Sequence, residues 1–306
     1  MPKHAFLEND GVLAFAHRGD QDAGPENTLA AFEGAVHQGF GYLETDVHCT
    51  RDGQVLAFHD DRLDRVTDQR GVIAQMDYAA VQAARVGGRE PIPRLDDLLE
   101  AFPEVRFNID PKSDTVVEPL VALLRSANAQ ARVCIGSFSG RRLSRVRTML
   151  PGVCTSMGPL ETTRARVGSL GLPVGRFKAV CAQVPVWWNG IKVIDARCIR
   201  SMNRQGLQTH VWTVIEPAEM NRLLDLGVDG LMTDRPRLLK AVLIERGQWH
   251  QAVCSGSGSC TLRHTIIPAK NSTRMDRIPI LGSPVVTVTQ PMRNGPKMAA
   301  ALPTTL

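Results

Sequence analysis

Eight short runs rich in apolar and β-branched residues recur along the chain: Val12–His17, Tyr42–His48, Val105–Asp110, Arg132–Gly136, Val153–Ser156, Ala179–Val184, Leu207–Val214 and Asp229–Thr233. Stretches with helical spacing separate most of them, among them Glu26–Gln38, Val116–Ala127, Arg141–Met149, Asp195–Gln205 and Pro217–Leu226. A strand followed by a helix returns the chain to the same end of a sheet, so the repetition implies parallel strands. Eight repeats favour closure of that sheet into a (β/α)8 TIM barrel, a fold that commonly takes about 250 residues. Catalytic side chains of such barrels sit at the C-terminal ends of the strands.

The rhythm breaks once, between Arg51 and Leu99, where the turn signal Arg51-Asp52-Gly53-Gln54 opens an excursion over the barrel mouth. Gly34, Gly39, Gly41, Gly206 and Gly227 read as helix stops before the next strand.

The formal charge of +5 does not mark a nucleic-acid binder. Residues 1–249 carry 30 basic and 30 acidic side chains, and the whole surplus lies in residues 250–306, with six and one. A neutral barrel has no footprint for a polyanion, whereas a small anionic ligand needs only local positive groups. From His250 the chain loses all Phe, Trp and Tyr and includes Ser255-Gly256-Ser257-Gly258-Ser259, so residues 1–249 read as the catalytic domain and residues 250–306 as a disordered, low-complexity basic tail. The seven cysteines form no C-x-x-C pair, and the five at 49, 134, 154, 181 and 198 read as reduced packing residues. No apolar run is long enough for stable membrane insertion and Met1-Pro2-Lys3-His4 has no leader character, so a cytoplasmic protein is expected.

The run Tyr42–His48 carries the strongest chemistry. Strand period two sends Glu44 and Asp46 to one face, with Leu43, Thr45 and Val47 on the other. Two like charges a few ångströms apart inside a barrel call for a cation, and oxygen donors suit a hard divalent ion, Mg2+ or Ca2+, better than Zn2+. The plainer alternative is a solvated edge strand. A third acid, Asp110, ends the third run; taken alone it would serve equally well as a helix cap. His17 ends the first run, on the same face as Leu13 and Phe15, and His59 follows Val55-Leu56-Ala57-Phe58. Two imidazoles near a cation suit phosphodiester cleavage, in which one group accepts a proton and another donates one. Arg18 offers a fork for phosphate oxygens and Lys112 a second positive charge.

In their order along the chain, these residues resemble the glycerophosphodiester phosphodiesterases through nearly all of residues 14–239. His17-Arg18-Gly19 and Pro25-Glu26-Asn27-Thr28 look like that family's HRG and PENT signatures, and Glu44-Thr45-Asp46-Val47 with His59-Asp60 like its ExD and HD pairs. Val211-Trp212-Thr213-Val214, Gly227-Val228-Asp229-Gly230 and Thr233-Asp234-Arg235-Pro236 look like its closing motifs. The resemblance implies that Glu44, Asp46 and Asp110 hold one divalent cation, and that His17 and His59 act as general acid and base. It further implies that Arg18 and Lys112 bind the phosphate and that Trp212 packs against the glycerol. Glu26 and Asn27 combine substrate binding with the start of the following helix, and Gln183 with Trp187-Trp188 would line the leaving-group pocket. The substrate's own glycerol hydroxyl would attack first, and water would open the cyclic phosphate to give glycerol 3-phosphate and an alcohol. Two positions depart from the common pattern: Asp110 stands where Glu is usual and Ile215 where Asn is usual.

The implied partner is a small glycerophosphodiester or a lysophospholipid. A lysophospholipase D or sphingomyelinase D-like enzyme on the same barrel is the first alternative, and a non-catalytic ligand-binding barrel the second. Nothing in the sequence sets an oligomeric state.

Overall fold

The computed structural model describes residues 4–250. Its eight core strands are β1 (Leu13–His17), β2 (Tyr42–Cys49), β3 (Arg106–Pro111), β4 (Val133–Ile135), β5 (Cys154–Thr155), β6 (Cys181–Val184), β7 (Gln208–Val211) and β8 (Gly230–Thr233). They lie in the order β5-β4-β3-β2-β1-β8-β7-β6, every neighbouring pair parallel. A parallel bridge between Ser156 and Cys181 joins the two ends and closes the ring. Each strand falls within one of the eight runs read from the sequence or runs one residue past its end. The seventh is shorter than expected, because the chain leaves the sheet at Trp212 toward the mouth.

The outer ring consists of α1 (Leu29–His37), α2 (Leu95–Ala101), α3 (Val117–Ser126), α4 (Gly140–Met149), α5 (Pro159–Gly168), α6 (Ala196–Arg204), α7 (Pro217–Asp225) and α8 (Pro236–Glu245). Their starts follow capping chemistry. Thr28, Ser139 and Asp195 accept backbone N–H groups at the heads of α1, α4 and α6, and proline opens α5, α7 and α8. Among the described residues no helix is long and apolar enough to cross a membrane.

Period two divides each strand between two cores. On β2, Leu43 and Val47 face outward into the layer shared with Phe107, Ile109, Leu98 and Leu120, while Tyr42 joins the interior with Phe6, Leu13, Phe15 and Met232. Phe6, on a short helical turn Ala5–Leu7, is fully buried in this interior layer, and its carbonyl accepts the Tyr42 hydroxyl at 3.0 Å. All eight residues of β2 are buried and the strand lies between β1 and β3. The solvated-edge alternative for Glu44 and Asp46 is thereby excluded.

Two expectations need correction. The Arg51–Leu99 excursion ends earlier than expected, because α2 begins at Leu95 and is the ring helix of the second unit. Seven residues with Asp96 and Asp97 in the first turn give too short an apolar stripe to separate from a loop. The true excursion pairs Val55–Ala57 antiparallel to β2 across a turn in which Gly53 has φ 88°, and packs its own small core around Leu56, Leu63, Ile73 and Val86. Gly34 does not stop a helix. It lies within α1, where an added Cβ would fall 2.3 Å from that of Ala23, so its role is close packing. The tail expected at residues 250–306 lies outside the described residues except for His250.

Candidate active site

A cavity of about 580 Å³ opens at the C-terminal ends of the strands, lined by His17, Arg18, Glu44, Asp46, His59, Asp110 and Lys112 on one side. Register explains the gathering. His17 pairs with Glu44 across β1 and β2, and Asp46 pairs with Asp110 across β2 and β3, so one stretch of the rim carries all four side chains.

The three acids are unequally satisfied. Asp46 is 2.7 Å from Lys112 Nζ and 2.9 Å from Arg18 Nε, and these two cations outweigh its burial to hold its pKa low. The Arg18 contact is close but not aligned as a hydrogen bond, since Nε is buried without an acceptor in line. Asp110 lies 2.9 Å from the same Lys112 Nζ, and burial still raises it. Glu44 Oε2 is buried with no hydrogen-bond partner. Burial, and then the charge of Asp46, push Glu44 up to about 8. A buried carboxylate oxygen without a donor, beside two more acids, is oxygen chemistry that suits a hard divalent cation, and Glu44, Asp46 and Asp110 are the residues that could hold it; here Lys112 stands between Asp46 and Asp110, and the oxygens of the three acids do not all lie within 4.8 Å of one another. Burial lowers Lys112, but Asp110 and Asp46 reverse the shift, so it stays charged.

His17 is held from both sides. Its Nδ1 is 2.5 Å from Asp234 Oδ1, and its Nε2 is 3.6 Å from Glu44 Oε2. Burial would lower its pKa, yet Glu44 and the bonded Asp234 outweigh it and the net shift is upward. His59 is likewise backed at Nδ1 by Asp60 Oδ1, at 2.6 Å. Asp60 also accepts from Arg65, whose Nη2 donates to Glu26 at 2.7 Å, and Glu26 in turn lies 3.3 Å from Arg18 Nη1. A charged chain therefore runs from one imidazole to the proposed phosphate fork.

Arg18 adopts a left-handed backbone, φ 58°, pinned where its N–H donates to the Glu44 carbonyl and its carbonyl accepts from Asn27 N, each at 3.0 Å. Gly19 follows with φ 89°, and an added Cβ there would fall 2.7 Å from the Ala31 backbone. The structure places Glu26 and Asn27 behind the cavity wall. Glu26 bridges Arg18 and Arg65; the buried Asn27 accepts from Thr45 Oγ1 at 2.8 Å and reaches Asp46 Oδ2 at 3.5 Å. The cap of α1 is Thr28. Asp110 is no cap either, since it belongs to β3 and α3 starts seven residues later.

The far wall is apolar. Trp212 meets Phe138 edge-on at 5.5 Å, and Phe138 meets Trp188 at 5.6 Å. Gln183 reaches across the floor to donate to Asn108 Oδ1 at 2.8 Å. Trp187 is exposed on a two-residue strand beside the mouth and Ile215 is exposed after β7, so neither completes the wall.

Asp234 and Asp60, which enter the sequence reading only as members of motifs, are the carboxylates that back the two imidazoles. Asp234 lies two residues beyond the inward-facing Met232, so strand period two already aims it at the mouth. Asp60 follows His59 directly. Phe138 sits in a loop with no periodicity to reveal it.

The match to the Glycerophosphoryl diester phosphodiesterase family spans residues 17–238. A Mycobacterium tuberculosis protein named "Probable glycerophosphodiester phosphodiesterase 2" is 41% identical over 258 residues, covering 82% of this chain and 98% of its own. The crystal structure of a glycerophosphodiester phosphodiesterase from Agrobacterium tumefaciens superposes with a TM-score of 0.63 at 25% identity, over 75% of this chain and 99% of that one. An Oleispira antarctica phosphodiesterase, solved in complex with the product sn-glycerol-3-phosphate, shares the fold with a TM-score of 0.64 at 21% identity, over 76% and 97% of the two chains. On this evidence the chain belongs to the glycerophosphoryl diester phosphodiesterase family, and with it to the phosphoric diester hydrolases.

Proposed function

We propose that the chain hydrolyses glycerophosphodiesters to glycerol 3-phosphate and an alcohol, with His17 and His59 as the acid and base pair. The observation that carries this reading is that both imidazoles line one cavity with the three acids, each held at Nδ1 by its own carboxylate. That arrangement fixes ring orientation and leaves Nε2 as the nitrogen that exchanges protons. One ring takes the proton of the glycerol hydroxyl as it attacks phosphorus, and the other protonates the departing alcohol. Reversal of the two roles lets water open the resulting cyclic phosphate.

Glu44, Asp46 and Asp110 would hold one divalent cation, Mg2+ or Ca2+, which when bound supplies Lewis-acid stabilisation of the phosphate charge. Arg18 and Lys112 contribute two fixed positive charges beside it, and Lys112, now divided between two acids, gains freedom to meet a phosphate oxygen once their charge is met otherwise. Trp212 and Gln183 contact the organic part of the substrate from the opposite wall and the floor. The product named for the Oleispira antarctica structure supports glycerol 3-phosphate as the retained fragment. The five described cysteines, all free and buried, suit the cytoplasmic setting that belongs to this reading.

A second reading, release of a lysophosphatidate-type product from a lysophospholipid, is favoured by the apolar wall of Phe138, Met157, Val167, Trp188 and Val193, which exceeds what an unacylated glycerophosphodiester needs. The deciding measurement incubates the full chain with glycerophosphocholine or lysophosphatidylcholine in Mg2+ or Ca2+ and quantifies glycerol 3-phosphate, choline and lysophosphatidate. Glycerol 3-phosphate from the first substrate supports the primary reading; lysophosphatidate from the second, with the first untouched, replaces it.

A further inference from the structure

Three sulfurs meet in a part of the barrel that the catalytic reading does not use. Cys134 on β4, Cys154 on β5 and Cys181 on β6 come from consecutive strands, are fully buried, and bring their Sγ atoms within 4.8 Å of one another. The Cys134 and Cys181 sulfurs are 3.9 Å apart. They belong to the interior core with Phe15, Tyr42 and Met232. Asn108, which pairs in register with Cys134, and Gln183, two residues beyond Cys181, form the hydrogen bond that floors the active-site cavity.

The spacing is informative. A disulfide holds its sulfurs about 2.05 Å apart, and these thiols are free. Three sulfurs around one ion at about 2.3 Å would stand about 4.0 Å apart in a trigonal plane. Parallel strands and shared inward direction hold Cys134 and Cys181 at that separation, and all three sulfurs within 4.8 Å, before any ligand arrives. Phe, Leu, Tyr and Met pack around them, and among the described residues these thiols are the one set of three His, Cys, Asp or Glu ligand atoms close enough to share an ion.

We propose that Cys134, Cys154 and Cys181 form a second metal site inside the barrel, selective for a thiophilic d10 divalent cation of the zinc and cadmium type. The hard-oxygen acids at the mouth and this soft sulfur set would sort cations by chemistry within one chain. Binding replaces two S–H bonds with two metal–sulfur bonds and releases two protons, while the third thiol donates a lone pair without losing its proton. The site then stays neutral, as an apolar interior requires.

The test uses the full chain, reduced, with Cys254→Ser and Cys260→Ser to silence the thiols outside the described residues, expressed with or without Cd2+ and then desalted. One cadmium per chain, a sulfur-to-cadmium charge-transfer band and about three sulfur neighbours by X-ray absorption are expected. Cys134→Ala or Cys181→Ala should each remove one sulfur neighbour and weaken retention at least ~100-fold. Phosphodiesterase activity should persist in both variants and so report intact folding. Should one variant misfold, Cys154→Ala gives the same reading. Absence of the band in the loaded parent, or a band unchanged in the folded variants, overturns the site and leaves the catalytic reading untouched.

Discussion

The Asp234 carboxylate lies 2.5 Å from His17 Nδ1, on the side of the ring opposite Glu44. Because His17 ends β1 and Asp234 follows β8, the pair spans residues 217 apart through neighbouring strands. On the proposed mechanism Asp234 acts through His17, by positioning the ring. We expect Asp234→Asn to lower kcat ~10- to 100-fold with KM nearly unchanged, and to move the limb of the pH profile that reports His17. His17→Ala or His59→Ala should cost at least ~100-fold with folding intact. Steady-state kinetics across pH checks both. A pH profile for Asp234→Asn that superposes on the parent would reduce the residue to a structural role.

The three acids lead to a second expectation. Without a cation, Glu44 is an unpartnered buried carboxyl whose pKa reaches about 8, a state that costs stability. Excess chelator should abolish turnover and lower Tm, and Mg2+ or Ca2+ should restore both. Glu44→Gln removes the ionisable group while keeping the shape, so it should lose turnover yet melt at or above the chelated parent. Thermal scans with and without chelator make the comparison; unchanged activity in chelator would remove the cation from the scheme.

The legible and the hidden parts of this molecule divide along a physical line. Strand period two is local, so Glu44 with Asp46 and Leu13 with His17 could be paired from sequence alone. Register is not local. That Asp46 faces Asp110, or that Asp234 closes on His17, depends on which strands neighbour one another, and only ring closure settles that. The same holds for Lys112, which reads as a free phosphate ligand and is found clamped between two acids. Glu26 and Asn27 show the opposite failure: a motif marks them clearly, but their side chains support the wall from behind. Phe138 had neither periodicity nor motif.

Asp60 supplies a pH signature. Hydrogen bonds from Arg65, reinforced by His59, hold it at about 2, below its ordinary 3.8. A carboxyl with a depressed folded pKa binds fewer protons when folded, so its contribution to stability is present above about pH 4 and disappears as pH falls toward 2. Asp60→Asn should therefore lose stability relative to the parent at neutral pH, and the gap should narrow between about pH 4 and 2. Denaturant melts at a series of acidic pH values measure this, and a gap that stays constant through that window would contradict the assignment.

On the proposed reading, the apolar wall bears on whether the glycerol end of the substrate carries an acyl chain. Phe138 is half exposed yet packs between Trp188 and Trp212, so it offers contact area to a bound chain without anchoring the fold. Choline, the leaving group of both test substrates, gains little from that surface, whereas an acyl chain on the retained glycerol gains about 25 cal/mol for each Å2 of apolar area it buries. Phe138→Ala should therefore leave kcat/KM for glycerophosphocholine within about threefold. The same change should raise KM for a lysophospholipid ~10-fold or more, because one aromatic contact is worth roughly 1 to 2 kcal/mol. Parallel kinetics on the two substrates separate the outcomes. Equal losses on both would mean that the ring shapes the reacting centre itself, and would move the acyl pocket to another part of the mouth.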